Sequence, residues 1–277
     1  MNKVGTIILI IFLALVAIGL GVFAFLFSIG KIELNQNYYN IFNRKSENLI
    51  ESKEFDDVND IYVGTNIADV YVEYSSNDKY KVELYSDNVK DFKVELNKDD
   101  LKVDLEEKEK VGFFPKQPRI IIYVPSEYKN KINVKAKTSD ITSVALKDAS
   151  FKIEVTTGDV EIEAANVLDV TTTTGDIENN NVEVANIKCK TGDIRLGTVN
   201  NSLDIVTTTG DVRIETINLK ENSNIQTTTG DVRIDNKNEI YVETETKTGD
   251  VRVNNNADRF TELSLHIKVT TGDIKVG

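Results

Sequence analysis

Apolar and polar residues alternate through much of the chain between residues 55 and 135. Examples are Val70-Tyr-Val-Glu-Tyr74, Lys81-Val-Glu-Leu-Tyr85 and Leu101-Lys-Val-Asp-Leu105. An alternation with a period of two predicts half-buried strands. A more continuously apolar strand stops at Pro125, because proline cannot donate a hydrogen bond to a ladder. This region is therefore predicted to be the strand-rich N-terminal part of the folded chain.

A repeated tripeptide, Thr-Gly-Asp, occurs seven times in the region from residue 136 to residue 277, at spacings of 17 to 23 residues. A degenerate copy, Thr138-Ser139-Asp140, precedes the first. A short period that recurs this evenly predicts a solenoid. The predicted structural corners are the glycine and the aspartate of each copy: Gly158, Asp159, Gly175, Asp176, Gly192, Asp193, Gly210, Asp211, Gly230, Asp231, Gly249, Asp250, Gly272 and Asp273.

The apolar positions change parity across each Gly-Asp step. Around Gly210, the inward candidates Ile205 and Thr207 precede the glycine by five and three residues, whereas Val212 and Ile214 follow it by two and four. Side chains alternate strictly along a straight strand, so the step must be a corner. Glycine tolerates positive φ, and an aspartate can accept hydrogen bonds from nearby backbone N–H groups. The predicted fold class is all-β, a parallel β-solenoid with a strand-rich N-terminal cap.

An uncharged apolar run extends from Val4 to Gly30. About 20 apolar residues span a bilayer as a helix, so the run predicts one transmembrane helix. A cleaved signal peptide is the alternative, although its apolar core is usually about 7–15 residues and ends at a small-x-small site. Both interpretations place the rest of the chain outside the cytoplasm. The predicted location is the cell membrane, single-pass, with an extracytoplasmic C-terminal domain, and the membrane contact is through residues 4–30.

The patterns divide the chain into four segments. These are a transmembrane anchor over 1–30, a polar juxtamembrane stalk over 31–54, the strand-rich part over 55–135 and the repeat solenoid over 136–277. The last turn of the solenoid is predicted to lie near Gly277. Its open backbone edge could pair with another protein or with another copy of the chain.

The charge and the reactive residues narrow the function. The net charge of −12, from 33 basic and 45 acidic residues, argues against a nucleic-acid partner, because phosphate binding needs a basic surface. Cys189 is alone, so it forms no intrachain disulfide, and its inward position is typical of a small core residue. His266 has no second histidine to form a transition-metal site. No catalytic or cofactor-binding motif is found, so we predict neither an enzyme nor a cofactor.

The aspartates that follow the glycines should stack as an Asp column. Calcium binding is one interpretation, because carboxylates and carbonyls are the ligands of that ion. Turn capping is the other, and the turn chemistry of aspartate favours it. The calcium-binding β-roll also has a nine-residue period, which is shorter than the spacing in this chain.

An outward column three residues after each glycine changes from acidic to basic along the solenoid. Glu161 and Glu178 begin it. The basic members form a candidate binding stripe, called the basic stripe: Arg195, Arg213, Arg233, Arg252 and Lys275. Aligned guanidinium groups recognise phosphate well, so the stripe could bind teichoic acid or lipid headgroups. Alternatively, its members pair with the Asp column and nearby glutamates on a solvated face, which the overall acidity favours.

Three sequence features carry a resemblance to a known family. The strand from Ile120 to Pro125, the Thr-Ser-Asp step at residue 140 and the repeated Thr-Thr-Gly-Asp-Val/Ile resemble the bacterial "putative adhesin" domain-of-unknown-function family, which includes LiaG-like envelope proteins. The resemblance covers roughly residues 55 to 277. It implies a β-solenoid at the cell envelope, with no catalytic residues to carry over.

The predicted function is that of a membrane-anchored extracytoplasmic surface module for binding, adhesion or envelope-stress association. The partner would be an envelope protein or a cell-wall polymer. One alternative is a carbohydrate-active enzyme on a β-helix scaffold, which would need paired carboxylates at a suitable separation; uniformly repeated aspartates fit a structural role better. The other alternative is a binder of anionic wall polymer or lipid through the basic stripe.

Overall fold

A computed structural model describes residues 48–86, 91–97, 99–106 and 117–277. Every regular element in this part of the chain is a strand, and none is a helix. No helix among the described residues is therefore long and apolar enough to cross a membrane. The predicted anchor, and the stalk as far as residue 47, lie outside the described residues.

The strands follow one another along the chain with short connections. In chain order they are β1 (Leu49–Phe55), β2 (Ile61–Thr65), β3 (Asp69–Tyr74), β4 (Tyr80–Tyr85), β5 (Asp91–Asn97), β6 (Asp100–Glu106), β7 (Arg119–Val124), β8 (Lys131–Thr138), β9 (Ile141–Thr157), β10 (Val160–Thr174), β11 (Ile177–Thr191), β12 (Ile194–Thr209), β13 (Val212–Ile217), β14 (Ser223–Thr229), β15 (Val232–Lys237), β16 (Tyr241–Thr248), β17 (Val251–Val253), β18 (Ser264–Thr271) and β19 (Ile274–Val276).

Each turn of the stack has two arms that meet at a Gly-Asp step. In the turn at Gly230, β14 approaches the step and β15 leaves it. The longer strands β9 to β12 contain the leaving arm of one turn and the approaching arm of the next. Between the arms, the β9–β10 pairing shifts register after Ala165 and the β11–β12 pairing after Val182. All pairings from β8 onward are parallel and join equivalent residues of neighbouring turns. The predicted parallel β-solenoid is confirmed.

The N-terminal strands cover the first end of the stack. β2 and β3 pair in parallel with β8 and β9, and on their other side with β6 and β7. Beyond these, β5 is antiparallel to β6, β4 is antiparallel to β7, and β1 is antiparallel to β4. The strand β1 (Leu49–Phe55) overlaps the range 31–54 that was predicted as the stalk, so the folded part begins earlier than residue 55.

The last turns of the solenoid do not follow chain order. β18 lies between β14 and β16, and β19 lies between β15 and β17. The backbone N–H of Gly277 donates to the carbonyl of Ile234, which places the C-terminal residues beside β15. The C-terminal segment is therefore inserted between the turn of Gly230 and the turn of Gly249. The prediction that the last turn and its open edge lie near Gly277 is wrong. The strands β16 and β17 form the last turn of the stack, which we call the last rung.

The inward residues explain this order. The inserted turn places Ile267, Val269 and Ile274 in the core, where each is at most 1% exposed. The equivalent residues of the last rung are less apolar, because Thr244 and Thr246 replace the first two. Burying apolar surface is the main favourable term in folding, so the more apolar turn occupies the interior position. At the end of the stack, Val251 remains 45% exposed.

Candidate functional site

The corners of the solenoid have one backbone conformation. The seven glycines of the tripeptides have φ values between 139° and 145°, a region that residues with a side chain rarely adopt. Stacking adds a second requirement, since a Cβ atom on Gly175 would lie 1.9 Å from the carbonyl oxygen of Gly158. The corner therefore permits only glycine at that position, and the following aspartate starts the leaving arm.

The Asp column is a continuous hydrogen-bond ladder. Apart from Asp250 in the last turn, the Oδ1 atom of each aspartate accepts the backbone N–H of the aspartate in the next turn, at 2.8–3.1 Å. The ladder begins at Asp69, a member that the tripeptide pattern does not reveal, and passes to Asp140. One oxygen of each carboxylate thus holds a corner, as expected for a turn cap. Among the described residues, no group of three or more His, Cys, Asp or Glu is arranged to hold a metal ion.

The basic stripe is brought together in register on adjacent strands. Arg195 pairs with Arg213, Arg213 with Arg233, and Arg233 with Lys275. Arg252 pairs with Lys275 and ends the column. Neighbouring Cα positions in such a column are about 4.8 Å apart. The stripe therefore exists as a surface, but its last two members stand in the opposite order from that of the chain.

Two arginines of the stripe are engaged with acids. The guanidinium of Arg195 contacts Asp193 at 2.8 Å, Glu178 at 3.0 Å and Asp176 at 3.3 Å. The hydrogen bond to Asp176, more than any other contact, raises the pKa of Arg195. In the neighbouring part of the stripe, Nε of Arg233 lies 2.6 Å from Asp235.

The remaining cations of the basic stripe are not engaged with acids among the described residues. Arg213, Arg252 and Lys275 form no ion pair with another described residue, and all three are exposed. The two interpretations of the basic stripe, phosphate binding and pairing with nearby acids, thus each describe some of its members. Arg195 is neutralised by three carboxylates, whereas Arg213 and Lys275 stand on either side of Arg233 with their charges available.

A groove of about 370 Å³ runs between the Asp column and the basic stripe. Its charged lining consists largely of alternating acids and bases on neighbouring strands: Asp211, Arg213, Asp231, Arg233, Asp273 and Lys275. In each turn the aspartate comes directly before the strand and the base follows the aspartate by two residues, so both side chains point outward from the same face. The groove therefore presents rows of opposite charge, each repeated at the spacing of the strands.

The inner side of the corners carries a second, buried column. Thr172, Thr207 and Thr227 are at most 4% exposed, and the Oγ1 atoms of Thr172 and Thr227 have no hydrogen-bond partner among the described residues. Cys189 belongs to the same column and donates weakly to the carbonyls of Gly175 and Gly192, at 3.7 and 3.8 Å. Burial raises the pKa of this thiol. At neutral pH the thiol therefore stays protonated, which suits a core residue better than a nucleophile.

An asparagine ladder at the opposite bend was not anticipated from the sequence. Nδ2 of Asn200 donates to Oδ1 of Asn181 at 2.9 Å, and Nδ2 of Asn218 donates to Oδ1 of Asn200 at 3.3 Å. The signal was present, because these asparagines recur with nearly the same period as the tripeptide. His266 lies away from the groove and contacts Glu243 at 3.4 Å.

Solved structures with a similar fold come from several bacteria. One, described as a "putative adhesin" from Bacteroides fragilis, is 17% identical, with a TM-score of 0.53 over 84% of this chain and 99% of that one. Another, described as a "putative lipid binding protein" from Parabacteroides distasonis, is also 17% identical, with a TM-score of 0.50 and the same coverage. At this identity the likeness concerns the fold.

The sequence itself was compared with curated proteins and with family models. No curated protein matches the chain. The family described as Toastrack DUF4097 matches residues 58–276, which include nearly all of the strands described above. This chain therefore belongs to the Toastrack DUF4097 family, a domain-of-unknown-function family whose fold is shared with a protein described as a "putative adhesin".

Proposed function

We propose that this protein is a membrane-anchored, extracytoplasmic surface module that binds a component of the cell envelope through an exposed face of its solenoid. The observation that carries the proposal is the face formed by the Asp column and the basic stripe. A stacked sheet holds the backbone positions of these side chains in register, so no backbone ordering is needed when a repetitive ligand binds. The fold shared with proteins described as adhesin and as lipid-binding supports a binding role.

The uncharged run from Val4 to Gly30 supports the location that we propose. A cysteine-labelling experiment in intact cells tests it directly. Thr208 is exposed on the approaching arm of the turn at Gly210, so Thr208→Cys should react with a membrane-impermeant maleimide. Cys189 is 4% exposed and should give little background. Asn2→Cys provides the control for the cytoplasmic side, and it should react only after the cells are permeabilised.

Two outcomes would overturn the location. Thr208→Cys that reacts only in permeabilised cells would place the solenoid inside the cytoplasm. An intact-mass measurement that lacks the first 30 residues would replace the anchor by a cleaved signal peptide. A pull-down of the purified chain against envelope fractions would then test binding, with the cytosolic fraction of the same cells as the comparison.

A non-catalytic role is part of the proposal. One oxygen of each carboxylate in the Asp column holds the next turn, and the column repeats without a unique member. Glycoside hydrolysis needs two carboxylates with different roles. We expect no hydrolysis when the chain is incubated with a panel of cell-wall glycans. Release of reducing ends that is lost in Asp231→Asn would instead establish the carbohydrate-active enzyme.

A further inference from the structure

The charged groups of the groove that take part in no ion pair with described residues define the chemistry of its ligand. Of the cations that line the groove, Arg213 and Lys275 form no ion pair with another described residue. Asp211, Asp231 and Asp273 use one carboxylate oxygen in the ladder, and no ion pair of the described residues engages the second oxygen. The groove thus offers both signs of charge at adjacent positions on the same strands.

A ligand with only negative charge fits this groove poorly. A phosphate that contacts Arg213 lies beside Asp211 and Asp231, within the roughly 8 Å over which charges still interact at physiological salt. In the same column, Glu178 and Glu161 lie two and three turns from Arg213, and the chain as a whole carries a net charge of −12. The attraction of the cations for a polyanion is therefore offset by the acids around them.

We propose that the groove binds a zwitterionic group made of a phosphate and a primary ammonium, with the phosphate on Arg213 and Lys275 and the ammonium on the carboxylates of the Asp column. Such a group pairs with both rows at once, and a primary ammonium donates hydrogen bonds to carboxylate oxygens. The rows repeat at about 4.8 Å, so several ligand groups on one surface or one polymer can bind together. The gain from multiple contacts makes weak single contacts sufficient.

This inference rests on the proposed function and names its ligand class. Two envelope sources carry the chemistry, namely the headgroup of phosphatidylethanolamine and an amine-bearing phosphate polymer of the wall. The same groove would accept either, because the recognised atoms are the same. The experiment therefore includes one arm for each source.

The full chain, held in peptide discs without added lipid, is mixed with vesicles and the bound fraction is measured by flotation. The vesicles are phosphatidylcholine alone, phosphatidylcholine with phosphatidylethanolamine, and phosphatidylcholine with phosphatidylglycerol. The polymer arm uses dextran that carries phosphoethanolamine groups, with dextran that carries phosphate groups as its comparison. We expect the phosphatidylethanolamine vesicles, the phosphoethanolamine dextran or both to bind at least about fivefold more strongly than their comparisons.

Two double variants separate the two rows. Arg213→Gln with Lys275→Gln should weaken binding at least about fivefold, because it removes the phosphate contacts. Asp211→Asn with Asp231→Asn keeps the Oδ1 acceptors of the ladder and removes the charges, so it should shift the preference toward phosphatidylglycerol or phosphate dextran. The matched controls are Lys188→Gln with Lys190→Gln and Asp148→Asn with Asp169→Asn, which change the net charge equally at positions outside the groove.

The outcomes distinguish this inference from the proposed function. A wild-type preference for phosphatidylglycerol or phosphate dextran would make the groove a plain anion site and overturn the inference, while a surface binding module would stand. Equal binding by the wild type, both groove variants and both controls would place the ligand elsewhere and also overturn it. Thr208→Cys that is inaccessible in intact cells would remove the proposed function itself, whatever the vesicles show.

Discussion

The backbone N–H of Asp273 donates to Oδ1 of Asp231 at 2.8 Å, although 42 residues separate them in the chain. The next member of the Asp column along the chain, Asp250, instead donates to Oδ1 of Asp273. These two bonds fix the spatial order of the last three turns. The C-terminal segment therefore acts as an inserted strand pair, and the turn that precedes it in the chain ends the stack.

Engineered disulfides should report this order. Thr229 and Thr271 are paired on adjacent strands, about 4.8 Å apart, which lies within the Cα separation of about 4.4–6.8 Å that a disulfide accepts. Thr229 and Thr248 are two strands apart, at roughly twice that spacing. In a Cys189→Val background, we expect oxidation to crosslink Thr229→Cys with Thr271→Cys, seen as a mobility shift on a non-reducing gel. If residues 229 and 248 formed the crosslink and residues 229 and 271 did not, the turns would follow the order of the chain and the C-terminal segment would not be inserted between them.

The stability of two equivalent regions should differ for the same reason. Ile267 is fully buried in the inserted turn, whereas Val251 is 45% exposed in the last rung. We expect Ile267→Ala to lower the free energy of unfolding by about 2–5 kcal/mol, and Val251→Ala by less than about 1 kcal/mol. Urea unfolding followed by circular dichroism measures both. Equal losses would mean that the two turns are buried to the same extent.

The tripeptide alignment predicts the inward residues well, because a column depends only on the position relative to the glycine. Ile205, Ile225 and Ile267 are all buried as that position requires. It cannot give the order of the turns, since each turn has the same motif and pairs equally well with any other. The apolar content of the inward positions, Ile267 against Thr244, is the signal that separates them.

Other features could not be predicted, because they depend on contacts between residues that are far apart in the sequence. A period of two is the same in parallel and antiparallel strands, so it could not show that β4 and β5 run antiparallel to their partners. The engagement of Arg195 by three carboxylates required the register of its turn with the turn below. The basic stripe was predicted as a column, and its division into engaged and open cations was not.

Substitution of a corner glycine should be far more costly than substitution of a glycine within a strand. Gly210 has a φ of 141°, and a Cβ atom there would lie 2.0 Å from the backbone oxygen of Gly192. A Cβ on Gly64 would instead meet the side chain of Asp104 at 2.7 Å, which can move. We expect Gly210→Ala to cost at least about 2 kcal/mol and Gly64→Ala about 1 kcal/mol or less, as measured by thermal unfolding. Similar melting temperatures for the two variants would contradict the corner geometry.

The N-terminal cap should become less stable at acidic pH, because the carboxyl of Glu83 gains a proton. Its burial raises the pKa of the carboxyl, but hydrogen bonds from Lys81, Tyr85 and Tyr123 outweigh this and leave the pKa below its usual value. The Lys81 ammonium lies 2.9 Å away, and the two hydroxyls donate at 2.9 and 3.2 Å. A carboxyl whose pKa is lower in the folded chain than in the unfolded chain stabilises the fold above the unfolded value, about 4.3 for glutamate.

That contribution is lost as the pH falls through the lower pKa of the folded chain. We therefore expect the free energy of unfolding to decrease with acidification below about pH 4.3, and to decrease less steeply in Glu83→Gln, which has no proton to gain. Glu161→Gln is the matched control, since it removes an exposed carboxyl in the acidic part of the stripe column. Urea titrations at a series of pH values measure the slopes. A Glu83→Gln slope equal to that of the wild type would show that this carboxyl titrates alike in the folded and unfolded chains.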